Sequence, residues 1–129
     1  MKKFIQTLLW KKNIFSDFMI AYVFKSKIKA STPFGFNLVS RNYTANRKML
    51  GGSFESEEMD IIRDNLLEAD VFVDVGANIG YYTCLALSMG RRAIAVEPQQ
   101  QNLECLYENL SSNGWPDAEV FPMGLSQEP

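Results

Sequence analysis

Apolar residues recur with two different periods along this chain, and the changes of period divide it into elements. In residues 3–10 and 13–24 the spacing is three or four, through Phe4, Leu8 and Leu9 and then Ile14, Phe18 and Ala21. That spacing predicts two short amphipathic helices. In "STPFGFNLVSRNYT", residues 31–44, Phe34, Phe36 and Leu38 alternate, which predicts one or two antiparallel strands. Gly51–Gly52 interrupts the pattern. Met59, Ile62 and Leu66 return to helical spacing and predict a helix from about Ser56 to Leu67. Glu55, Glu57, Glu58 and Asp60 crowd its first turn, where the helix dipole favours negative charge.

From residue 70 the elements follow closely. Val71–Val75 is almost wholly apolar, as a strand covered on both faces must be. Tyr81–Met89 predicts a helix, and Gly90 stands where a left-handed residue ends one. Ala93–Val96 is a second strand. Pro98 takes the position at which proline starts a helix, and Leu103, Leu106, Tyr107 and Leu110 form its inward stripe. Gly114 and Pro116 end that helix, and Glu119–Pro122 is a short third strand. The order β-α-β-α-β with short connections is one half of a doubly wound parallel sheet, an α/β Rossmann-like fold. The chain thus divides into an N-terminal region, residues 1–50, and an α/β unit, residues 51–129.

Charge sharpens that division. Residues 1–30 carry seven lysines against one aspartate, a net +6, while the rest carries six cationic against fourteen acidic residues, a net −8. A basic amphipathic head on an acidic body suits peripheral contact with an anionic membrane surface, and equally a solvated leading helix packed on the domain. The acidic body disfavours nucleic acid. No run reaches the ~20 apolar residues of a membrane span, and no secretory signal is evident, so the expected location is the cytoplasm. Cys84 and Cys105 lack metal-ligand spacing and read as buried free thiols. The chain has no histidine. That excludes Ser-His-Asp and Cys-His hydrolases and histidine-based zinc sites.

The chemistry is concentrated in "VFVDVGANIGYY", residues 71–82, a strand that enters a glycine turn and then a helix. The dinucleotide fingerprint G-x-G-x-x-G needs a central glycine, so that a pyrophosphate can approach the backbone. Here Asn78 holds that place between Gly76-Ala77 and Ile79-Gly80. No Gly-Lys-Ser/Thr follows, which excludes a Walker loop. The turn therefore suits a nucleoside without phosphates. Asp74, one pleat before it, suits the cationic amino-acid end of a ligand. Glu97, at the end of the second strand and 21 positions after Gly76, suits the two ribose hydroxyls. An aspartate at a strand end is also a common helix cap, and that reading stands beside the functional one.

"FVDVGANIGYYT", "AIAVEPQQQNLECLYENL" and "VFPMGLS" together resemble the cofactor-binding half of FkbM-type methyltransferases, and "GSFESEE" resembles the segment before that half. These are class I, Rossmann-like enzymes that bind S-adenosyl-L-methionine and mostly methylate oxygens, often on sugars. The resemblance covers about residues 51–129. It implies that Asp74, Gly76, Ala77, Asn78 and Gly80 shape the methionine and ribose pocket. It also implies that Glu97 holds the ribose hydroxyls and that Gly124–Leu125 lie near the adenine. The acceptor would be a small molecule or a glycan.

The same resemblance implies a seven-stranded sheet, of which three strands are recognisable here, so the chain reads as part of a methyltransferase. No catalytic residue is assigned. Arg41, Tyr43, Tyr81 and Tyr82 could line a substrate side, although an aromatic wedge accounts equally for at least one tyrosine. Two alternatives remain: a fragment of an NAD-dependent oxidoreductase, since Glu97 suits any ribose, and a degenerate module that keeps the fold without binding.

Overall fold

A computed structural model describes residues 27–41 and 56–126. The helices expected within residues 3–24, the Gly51–Gly52 punctuation, Tyr43 and most of the basic head lie outside the described residues.

Strands β1 (Ile28–Ser31) and β2 (Asn37–Ser40) form an antiparallel hairpin in the register Ile28↔Ser40 to Ser31↔Asn37. Its turn closes with a 2.8 Å bond from the Thr32 amide to the Phe36 carbonyl, and the Thr32 hydroxyl donates to the same oxygen. Phe34 and Phe36, expected within strands, lie in this turn instead. Gly35, at φ 85°, takes a left-handed conformation between them and breaks the alternation. Phe36 is nonetheless buried and meets Tyr81 edge-on, with ring centroids 6.0 Å apart.

Helix α1 (Ser56–Glu68) buries Met59 and Leu66, with Ile62 packed partly against the same core. The α/β unit follows as β3 (Val71–Val75), α2 (Tyr81–Ser88), β4 (Arg92–Val96), α3 (Gln100–Ser112) and β5 (Glu119–Phe121). All three strands are parallel and ordered β3-β4-β5, with Asp74 beside Ala95 and Val96 beside Phe121. The α/β Rossmann-like half-sheet expected from the sequence is the observed fold. Gly90, at φ 74°, ends α2 as expected, and the Arg91 amide reaches back 3.0 Å to the Ala86 carbonyl.

Three local expectations are corrected. Val71, Val73 and Val75 are 39%, 55% and 61% exposed, so β3 is covered on one face among the described residues. Phe72 and Asp74 alternate with them and point to the covered face, which α2 packs against. Helix α3 begins two residues after Pro98, with Gln99 as its N-cap, because the Glu97 carboxylate accepts the Gln99 amide. Tyr107, placed in the inward stripe of α3 by its spacing, faces solvent. Cys105 and Asn109 fill the buried positions beside Leu103, Leu106 and Leu110.

Both thiols are free and buried. Burial pushes the Cys84 thiol up to about 12, with the nearby Asp74 adding to the effect, and burial also raises Cys105. Since only the thiolate attacks a disulfide reagent, neither cysteine should react at pH 8 until denaturant unfolds the chain. Native-state labelling at the rate of a free thiol, followed by absorbance, would contradict this burial.

Candidate functional site

The carboxyl ends of β3 and β4 lie side by side, and the sequence puts an acid near each. Asp74 and Glu97 are the buried carboxylates there, 8% and 4% exposed. Between them runs the turn Gly76–Gly80. Three left-handed residues decide its shape: Gly76 at φ 81° opens the turn, Asn78 at φ 53° stands at its centre, and Gly80 at φ 85° closes it. Asparagine is one of the few side chains that tolerate this conformation.

Asp74 accepts hydrogen bonds from Thr83, one from its hydroxyl at 2.5 Å and one from its backbone. Thr83 is the third residue of α2, so Asp74 does the work of a helix cap from the preceding strand; Gly80, the N-cap, has no side chain to do it. The capping reading is thus correct as far as it goes. Burial raises the Asp74 pKa above its ordinary 3.8, the Thr83 hydrogen bonds oppose the rise, and the charge of Glu97 adds to it. The folded chain therefore holds a proton on Asp74 more tightly than the unfolded chain does. Its contribution to stability is present below 3.8 and is lost as pH rises through the higher folded value.

Glu97 organises the other side of the turn. Its Oε2 accepts the Asn78 amide at 2.8 Å, and its Oε1 accepts the Gln99 amide at 2.9 Å and the Asn102 side chain at 3.1 Å. Three of about four lone-pair positions are occupied, and the remaining capacity is on Oε2.

The turn's own amides are spent within the chain. Gly76 and Ala77 both donate to the Val96 carbonyl, at 2.8 and 3.1 Å, Asn78 donates to Glu97, and Gly80 donates to the Ala77 carbonyl at 2.8 Å. A phosphate-binding turn works by aiming such amides at the ligand. This one aims four of its five inward or sideways. What it offers instead is carboxylate acceptors, which suit hydroxyls and a cationic amine.

The remaining expected residues divide by exposure. Gly76 and Asn78 face outward, whereas Ala77 belongs to the hydrophobic core beneath the turn and Gly80 is buried. An ideal Cβ on Gly80 would overlap the Leu106 Cδ1 methyl, so this glycine lets α3 approach the start of α2. Leu125 is exposed, as are Met123 in the same loop and Phe121 at the end of β5. A Cβ added to Gly124 would stand 3.8 Å from the Pro98 Cβ, so this loop passes beside the residues that follow Glu97. Tyr81 is the aromatic wedge, packed against Phe36 and Tyr82. Arg41 is engaged by Glu104 of α3.

Sequence reasoning missed Thr83, Asn102 and Asn109. Only Asn109 left a signal, as a polar residue at a position of α3 that its spacing places inward. A cavity of about 310 Å³ lies elsewhere, lined by Leu87, Arg92 and residues 114–119 at the amino ends of the strands. It contains none of the residues above. Among the described residues there is no cluster of metal-ligating side chains, and no helix is long and apolar enough to cross a membrane.

No family model and no curated protein matches the chain. Among solved structures it is similar to a SAM-dependent methyltransferase from Agrobacterium tumefaciens, with a TM-score of 0.55 and 13% identity. The match covers 74% of this chain and 31% of that one, so the chain spans about a third of its neighbour's length. At this identity the likeness establishes the fold: an α/β, Rossmann-like unit of the kind found in a SAM-dependent methyltransferase.

Proposed function

We propose that this chain is the cofactor-binding part of an S-adenosylmethionine-dependent methyltransferase of the FkbM type, which methylates a hydroxyl oxygen of a sugar or another small acceptor. One observation carries the reading. Two buried carboxylates flank a turn whose amides are consumed by the chain itself, so the ligand end is built from acceptors and not from phosphate donors. S-adenosylmethionine has a cationic ammonium, two ribose hydroxyls and no phosphate. The same accounting disfavours the nicotinamide dinucleotides, whose pyrophosphate needs the amides that this turn has spent.

Asp74 would meet the ammonium group, directly or through water. The remaining Oε2 capacity of Glu97 would accept a ribose hydroxyl. Gly76 and Asn78 would border the ligand with backbone, Ala77 and Gly80 would hold that border from beneath, and Leu125 would lie against the adenine. When bound, the cofactor supplies a sulfonium-activated methyl group. The chain's contribution is to hold it in place for an acceptor that approaches in line. The fold likeness and the motif resemblance support the class, and the resemblance alone supports oxygen and sugar as the acceptor. A non-binding module would also satisfy its carboxylates internally, so binding is the discriminating property.

Calorimetric titration with S-adenosylhomocysteine, the demethylated product, tests the reading directly. Saturable heat is expected, with no competition from NADH. In the Asp74→Asn variant the affinity should fall about tenfold or more through loss of the charge opposite the ammonium. That variant should also be more stable at pH 7, by on the order of 1 kcal/mol in unfolding free energy, because it removes a buried charge that folding disfavours. Absence of heat from the folded chain, or preference for NADH, would overturn the proposal.

A further inference from the structure

The hairpin β1–β2 is attached to α3 in an unusual way. The Asn109 side chain accepts the Val39 amide at 2.5 Å and donates to the Val39 carbonyl at 3.1 Å. One helical turn later, Asn113 accepts the Asn37 amide at 2.8 Å and donates to the Asn37 carbonyl at 2.7 Å. Positions i and i+4 of a helix are ~6 Å apart along its axis. Residues i and i+2 of a strand are ~6.7 Å apart. The two spacings nearly agree, so two side-chain amides on α3 can pair with alternate residues of β2 as a neighbouring strand would. Ion pairs from Lys27 to Glu108 and from Arg41 to Glu104 flank this ladder.

The two asparagines differ in what else they hold. Asn113 also donates to the Asn109 carbonyl at 2.6 Å, within its own helix, whereas Asn109 donates to the Ile79 carbonyl at 2.8 Å and is fully buried. Ile79 stands between the two left-handed residues Asn78 and Gly80. Left-handed residues persist where their surroundings over-determine them. The peptide between them is held by Asn109, and the same amide is held by Val39. One buried side chain therefore joins the hairpin to the glycine turn.

We propose that Asn109 is a positioning residue for the nucleoside site: it fixes the Ile79 carbonyl, and through it the turn that carries Asn78 toward Glu97, and it makes the hairpin a mechanical part of that site. The ligand named here rests on the function proposed above; the coupling between hairpin and turn does not.

The test compares Asn109→Leu, and Asn109→Ser as a smaller polar replacement, with Asn113→Leu in the full chain. Asn113→Leu removes the corresponding pairing with Asn37 and a bond to the Asn109 carbonyl, but no side-chain contact with the turn. Hydrogen exchange of the Ala77, Asn78 and Gly80 amides, relative to β4, is read without ligand, and affinity for S-adenosylhomocysteine is read by calorimetry. The Asn109 variants should exchange these amides about tenfold or more faster and bind about tenfold or more weakly. Asn113→Leu should loosen the Asn37 amide and leave the turn and the affinity within about twofold. In the unmodified chain under rising urea, the Val39 and Asn78 amides should open as one unit. Equal turn exchange in the two kinds of variant, or separate opening of Val39 and Asn78 in the unmodified chain, would overturn the proposal. An unmodified chain that binds no S-adenosylhomocysteine while the exchange contrast holds would refute the ligand and leave the positioning role standing.

Discussion

Alanine at Gly80 is expected to remove a large part of the stability of this domain, about 2–5 kcal/mol. Two costs combine. A non-glycine residue held at φ 85° loses roughly 1–2 kcal/mol. Its Cβ would also overlap the Leu106 Cδ1 methyl, and Leu106 is fully buried in α3 and cannot turn into solvent. Such overpacking typically costs about 1–3 kcal/mol. Gly76→Ala is the natural comparison. Its φ of 81° imposes the same backbone cost, but nothing lies within 4 Å of the added Cβ. Urea denaturation should therefore rank wild type above Gly76→Ala and Gly76→Ala above Gly80→Ala. The reverse order of the two glycine variants would show that the approach of α3 to the turn is not the governing contact. Binding should rank differently: Gly76 faces outward at the turn, so its alanine would reduce S-adenosylhomocysteine affinity more than its modest cost in stability suggests.

Glu97→Gln should nearly abolish ligand binding, by about a hundredfold, and destabilise the chain by about 2–4 kcal/mol. The change is nearly isosteric, so the effect comes from hydrogen-bond sign. The carboxylate accepts from Asn78, Gln99 and Asn102 through both oxygens. A glutamine has one oxygen and one NH₂. If the oxygen keeps Gln99 and Asn102, the NH₂ confronts the Asn78 amide, donor against donor. If the side chain flips, two donors are stranded instead of one. A buried donor without an acceptor costs about 1–3 kcal/mol, and hydrogen bonds to a charged acceptor are worth more than neutral ones. In the first orientation, which strands the fewer donors, Asn78 loses part of what holds its left-handed conformation, and the oxygen that would accept a ribose hydroxyl is gone. Thermal unfolding and calorimetry read the two effects separately. A Glu97→Gln chain with unchanged affinity would remove Glu97 from the proposed site.

Much of this fold was legible residue by residue. Gly90 predicts the end of α2 and Val71–Val75 predicts a strand because backbone conformation and side-chain period are local properties. The shape of the turn was partly legible for the same reason: Gly76, Asn78 and Gly80 are residue types that tolerate a left-handed backbone, and all three adopt it. Three expectations failed where a hydrogen bond, a left-handed glycine or a tertiary contact overrode the apolar pattern. Pro98 does not start α3, since the Glu97 carboxylate captures the Gln99 amide first. Phe34 and Phe36 do not extend a strand, since Gly35 turns the chain so that Phe36 can reach Tyr81. Tyr107 fits the apolar stripe by spacing, but Asn109 takes the buried side of α3 because Val39 and Ile79 satisfy its amide there.

By itself, then, the sequence determined the order of elements, the parallel α/β class and the positions of Asp74 and Glu97 at neighbouring strand ends. These follow from period, composition and short-range turn geometry. Only the tertiary structure decided which donors each carboxylate satisfies, that Thr83 is the partner of Asp74, that one face of β3 is uncovered among the described residues, and that Asn109 joins the hairpin to the turn. Those facts depend on which polar groups meet in space, some near in the chain, as Asp74 and Thr83, and some far, as Val39 and Asn109, whose separation of 70 positions leaves no periodic trace. Hydrogen bonds are directional and short, so their partners are chosen by the packed arrangement and not by the local pattern.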